Sequence, residues 1–124
     1  MHFLKIVAIA GLLAVAPTWA GDFTGPQKNA VRSAKDYLAT QGFSRKGLIQ
    51  QLSSDAGDGY KITDATIAVD SLNIDWNQQA VRSAKDYLST QGMSCKGLIK
   101  QLSSNAEGYT VSQATYGAKQ AGAC

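Results

Sequence analysis

The amino-acid sequence predicts an all-α protein: two tandem three-helix repeats packed together behind a signal peptide helix. Three observations carry that prediction. VRSAKDYLATQGFSRKGLIQQLSS, over 31–54, returns as VRSAKDYLSTQGMSCKGLIKQLSS, over 81–104, with only Ala39, Phe43, Arg45 and Gln50 changed, to Ser89, Met93, Cys95 and Lys100. Apolar residues recur at helical spacing inside each copy. Ser, Thr or Asp precedes these stretches, where helix N-caps belong.

Residues 1–20, MHFLKIVAIAGLLAVAPTWA, read as a cleaved secretory signal peptide, with Lys5 near the start, an apolar run from Ile6 to Ala16, and small Thr18 and Ala20 before the cleavage point. An uncleaved anchor is the alternative, but this apolar run falls short of the roughly 20 residues that span a bilayer. Cleavage leaves no stable membrane anchor and places the protein in the periplasm or outside the cell. Residues 21–28 then form a short linker.

The first repeat covers 29–75. Ala30, Val31, Ala34, Tyr37 and Leu38 make one stripe of its first helix, and Gly42 follows where a helix C-terminus favours positive φ. Ser44 caps the second helix, with Phe43 packing on Leu48 as a hydrophobic staple. Thr63 caps the third, with Ile62 on Ile67. The second repeat, 76–124, follows the same script with one residue fewer where DAGDGY becomes NAEGY. Ala80, Val81, Ala84, Tyr87 and Leu88 give the stripe, and Gly92 the stop. Ser94 and Ser112 are the caps, and Met93 on Leu98 and Val111 on Tyr116 the staples. Asp75 caps the helix that opens the second repeat, with Gln78 three positions on. Trp76 is expected to wedge between the repeats, since no glycine or proline separates them there; stacking on a ligand is its alternative role.

Composition excludes several chemistries. The sole histidine, His2, lies in the leader, and Glu107 is the sole glutamate. A mature chain without histidine builds neither a Ser-His-Asp nor a Cys-His site, nor a histidine-bearing zinc site. Asp55 and Asp58 sit in a glycine-rich loop and read as a solvated turn. No catalytic residue, metal site or cofactor is expected. With Lys5 removed, 11 basic groups face 9 acidic ones, too even a balance for a dedicated nucleic-acid binder.

Cys95 and Cys124 are the only cysteines, and an even count in an exported chain predicts a disulfide. Closed within the chain, it pins the C-terminus to the body of the second repeat; a bridge between chains through the terminal thiol is the alternative. The first repeat is expected to need no such pin, because its third helix continues into Trp76.

The order A-x-x-x-A-x-x-Y-L, then F/M-S-x-x-G-L-I-x-Q-L-S-S, G-Y-x-x-x-x-A-T and D-W-N-x-x-A-V resembles the Ltp-type repeat of host-cell-surface-exposed lipoproteins, which include prophage-encoded superinfection-exclusion proteins. The resemblance covers both repeats. It implies helix-turn-helix-like units displayed outside the cytoplasmic membrane that stop incoming phage DNA from entering the cell. Family members are typically anchored through a cysteine after the signal; Gly21 takes that place here, so the reading is a free protein and not a lipoprotein.

The leading functional expectation is a non-enzymatic binding protein that occupies a phage injection component or an envelope protein. Arg32 and Lys35, with Arg82 and Lys85, are the candidate contact surface, presented twice. A structural or cell-wall-associated envelope role is the alternative. DNA binding ranks below both, because the connection from Ser53 to Ile62 is longer than the three or four residues of a DNA-reading turn, and an enzyme comes last.

Overall fold

The computed structural model describes residues 22–124. The signal peptide reading lies outside these residues. Six α-helices follow in order: α1 Gly25–Thr40, α2 Arg45–Ser53, α3 Ile62–Ser71, α4 Trp76–Thr90, α5 Cys95–Leu102 and α6 Val111–Gln120. Among the described residues there is no strand, and no helix is long and apolar enough to cross a membrane.

The expected linker over 21–28 is shorter than its bounds, because α1 already begins at Gly25. Thr24 accepts from the Gln27 backbone N–H, and the Gln27 side chain returns a bond to the Thr24 N–H. Pro26 at the helix start needs no amide partner and has its φ preset. Gln27 also donates to Asp64 Oδ1 at 3.1 Å, tying the start of α1 to α3.

Ser44, Ser94 and Asp75 cap α2, α5 and α4 as their positions require. The third helices start earlier than expected. Lys61, without a side-chain bond, stands at the N-cap of α3, and Thr110 caps α6 in a box with Gln113, so Thr63 and Ser112 are not caps. The corresponding staples are not made either: Ile62 and Val111 are about two-thirds exposed, at 64% and 65%. Gly42 and Gly92 do not stop helices by positive φ, since α1 and α4 end on extended Gln41 and Gln91. The left-handed glycines among the described residues are instead Gly59, Gly108 and Gly122, the first two at matching places before Tyr60 and Tyr109, where a side chain would be strained.

Each repeat has its own core. Leu48, Ile49 and Leu52 of α2 meet Ala34 of α1 and Ala65 and Val69 of α3 in the first; Leu98 and Leu102 of α5 meet Ala80 and Ala84 of α4 and Ala114 and Ala118 of α6 in the second. Helices of two to four turns are marginal alone, so the wholly buried Leu48, Leu52, Leu98 and Leu102, roughly 1.5–3 kcal/mol apiece, hold them in place. Trp76 opens α4, yet its ring packs with Ile74 on the core of the first repeat.

Cys95 and Cys124 are joined within the chain, their Cα atoms 4.7 Å apart. The first repeat has a pin of its own, contrary to expectation. Arg45, the counterpart of Cys95, donates through Nε and Nη2 to the two carboxylate oxygens of Asp70 at 2.8 and 2.9 Å. This bond holds Asp70 below the usual carboxylate range and raises the Arg45 guanidinium. Both side chains are about half exposed, at 48% and 49%, so solvent screens the pair. Arg45→Met is accordingly expected to lower the unfolding free energy by at most about 1 kcal/mol in a denaturant titration, with the loss shrinking at high salt.

Candidate interaction surface at the repeat junction

The short turn Gln41–Ser44 between α1 and α2 has the length and the glycine of a helix-turn-helix connection. It is this turn, and not the longer Ser53–Ile62 connection, that gives each repeat its helix-turn-helix character. The turn meets the second repeat. Phe43 N donates to Gln79 Oε1 at 3.3 Å, and Arg82 Nη1 donates to the same oxygen at 3.2 Å. Arg82 also donates to the Leu38 carbonyl at 2.8 Å. That carbonyl belongs to the last turn of α1, where helical partners run out and a cation is favoured.

Ser44 works twice, capping α2 by accepting from Gly47 N and donating its hydroxyl proton to the Glu107 carbonyl across the junction. It is 2% exposed. Gly42 is glycine because α4 leaves no room for more: a Cβ would stand 2.8 Å from both the Gln79 carbonyl and Ser83 Oγ. The repeats are thus joined by a polar joint, supplemented by Trp76.

The four basic residues singled out by the sequence do not form one surface shown twice. Arg32, Lys35 and Lys85 are exposed on α1 and α4, whereas Arg82 is half-buried in the joint. From Ala30 and Ala80 onward the duplicated sequence gives Arg32 and Arg82 the same neighbours along the chain, and the arrival of the first repeat, with Gln79 in place of Asn29, separates their roles.

The joint is flanked by two clefts. One, of about 240 Å³, opens between Phe43, Ser44, Gln51, Ser54 and Glu107. The other, of about 260 Å³, lies between Gln41 and Gly42 on one side and Ser83, Asp86, Tyr87 and Thr90 on the other. The first repeat carries a counterpart of the latter in Ser33, Asp36, Tyr37, Thr40 and Asp58, which enclose an open depression of about 410 Å³.

Inside these depressions one hydrogen-bond network appears twice. Tyr37 donates to Asp58 at 2.8 Å and accepts from Gln51 at 3.3 Å; Tyr87 donates to Glu107 at 2.7 Å and accepts from Gln101 at 3.3 Å. Both phenols are pushed above their ordinary range, Tyr37 first by its bond to Asp58 and Tyr87 first by burial, then by Glu107. They remain protonated at neutral pH and act as donors that fix the carboxylates. Asp58 is therefore a structural partner of Tyr37, and Asp55 is exposed beside it. Among the described residues no three His, Cys, Asp or Glu side chains gather as metal ligands would.

Sequence reasoning missed the joint itself. Its signals were present but ambiguous: Gly42 read as a helix stop, Ser44 as a cap only, and Glu107 as an isolated acid.

Comparison with known proteins agrees with this architecture. None of the curated proteins searched matches the sequence. Among solved structures the chain is similar to that of Ltp, a superinfection exclusion protein from the Streptococcus thermophilus temperate phage TP-J34, with 33% identity and a TM-score of 0.71 over 79% of this chain and 97% of that one. The family model described as host cell surface-exposed lipoprotein matches twice, at residues 26–72 and 75–120, one match on each three-helix unit. The chain belongs to this Ltp lipoprotein family, as a tandem of two of its repeats.

Proposed function

We propose that the chain is a non-enzymatic binding protein that works outside the cytoplasmic membrane and keeps phage DNA from entering the cell by occupying a protein surface. The observation that carries this reading is the likeness to a superinfection exclusion protein along 97% of that protein's chain. The Cys95–Cys124 disulfide suits an oxidising compartment, in keeping with export. The partner is a phage injection component or an envelope protein that it needs. Exposed Lys35 and Lys85, at matching positions on the long helices of the two repeats, form the contact surface, which favours an acidic partner face. A steric mechanism asks for no bond chemistry, only a rigid surface at the right place.

The test is plating efficiency on a host expressing the whole sequence, leader included, against a broad panel of phages. At least one phage is expected to lose plaques by several orders of magnitude while still adsorbing, with its DNA held outside. The double change Lys35→Glu with Lys85→Glu is expected to restore plaques without loss of folded protein. Unchanged plating and DNA uptake for every phage would refute the proposal.

A further inference from the structure

The joint between the repeats has one half left over at each end of the molecule. The acceptor half in the second repeat is Gln79, Arg82 and Ser83 on α4, covered by the turn after α1. Its counterpart on α1 is Asn29, Arg32 and Ser33, where Arg32 is exposed and Ser33 half-exposed, while Arg82 is half-buried and Ser83 buried. The other half, the turn Gln41–Gly42–Phe43, has its counterpart in Gln91–Gly92–Met93 after α5's predecessor α4. A Cβ on Gly92 would meet nothing within 4 Å, and its φ is not in the left-handed region, so neither space nor backbone inside one chain asks for glycine there.

We infer that two copies of this chain join head to tail, the Gln91–Gly92–Met93 turn of one seating on α1 of the next as Gln41–Gly42–Phe43 seats on α4. Arg32 of the second copy donates to the Leu88 carbonyl of the first, as Arg82 donates to Leu38. Gly92 lies against Ser33 as Gly42 lies against Ser83. The contact continues an interface the chain already makes, with the same arginine, serine and glycine. It is weaker than the internal joint for stated reasons: Asn29 is one methylene shorter than Gln79, Pro26 stands where Trp76 adds its ring, and the two halves no longer share a chain. Because the two surfaces differ, the contact is heterologous: copies add in a row, and a ring forms only if the rotation from copy to copy closes.

Sedimentation equilibrium of the purified oxidised chain tests this independently of any phage phenotype. The average mass is expected to climb with concentration past that of a dimer. Gly92→Arg, whose side chain points into open space, and Arg32→Glu, at an exposed position, leave the fold intact and are each expected to stay monomeric. An equimolar mixture of the two is expected to stop at a dimer, since it retains one competent turn and one competent acceptor. A parent chain monomeric up to its solubility limit, a closed dimer, or variants that associate like the parent would each overturn the inference.

Discussion

Breaking the Cys95–Cys124 bond is expected to lower the unfolding free energy by roughly 3.5 kcal/mol, the chain-entropy value for a loop closed over a sequence separation of 29. A domain of about 100 residues has some 5–15 kcal/mol in all, so the loss corresponds to roughly 15–25 °C in melting temperature. The effect is local in origin. The bond ties the first residue of α5 to a residue just beyond α6, whereas the first repeat makes the same tie with the solvent-screened Arg45–Asp70 pair and then continues into Trp76. Lys119 stands at the counterpart of Asp70, so no ion pair remains in the second repeat to take over once the sulfurs separate. The double change Cys95→Ser with Cys124→Ser, or mild reduction, is therefore expected to release amide protection in Val111–Gln120 well before Ile62–Ser71 in hydrogen exchange. Equal loss in both repeats, or a melting temperature indifferent to reductant, would show that the bond closes no costly loop.

How much of this was legible from the sequence depends on whether a residue's role is local. Periodicity placed six helices, and Ser44, Ser94 and Asp75 announced their starts, because a cap acts on an amide two or three positions away. Ile62 and Val111 misled for the same reason. An apolar residue before an apolar helix satisfies the staple pattern, but the real caps lie at Lys61 and Thr110, which turns both side chains outward. Gly42 and Gly92 share a sequence context and cannot be told apart by it; one is held against Gln79 and Ser83, and the other faces open space. Arg32 and Arg82 diverge likewise. A duplicated text can specify the unit twice, but it cannot say which copy of a surface the other copy will cover.

The tyrosine pair Tyr60 and Tyr109 shows the consequence of that covering in energy. Tyr109 is 3% exposed; its hydroxyl donates to the Gln79 carbonyl at 2.9 Å and so accepts from Ser83 at 2.7 Å. Burial is the main reason its pKa rises from 10.0 to about 12, against a smaller lowering by the Ser83 bond. Above pH 10 the unfolded chain loses this proton while the folded chain keeps it. Stability is thus fully present below pH 10 and falls as pH climbs towards 12, by roughly 2–3 kcal/mol from this residue. Tyr37 and Tyr87, also raised, push in the same direction. Tyr109→Phe is expected to remove the largest part of that alkaline slope in denaturant titrations run at stepped pH. At neutral pH it costs about 1–3 kcal/mol, because the Gln79 carbonyl and Ser83 hydroxyl lose their partner in a dry site. Tyr60, only half-buried and bonded to Ser33 at 3.0 Å, should tolerate the same change for less. Matching slopes in the parent and Tyr109→Phe chains would mean that the phenol titrates freely in the folded protein, and that the first repeat does not seal the second.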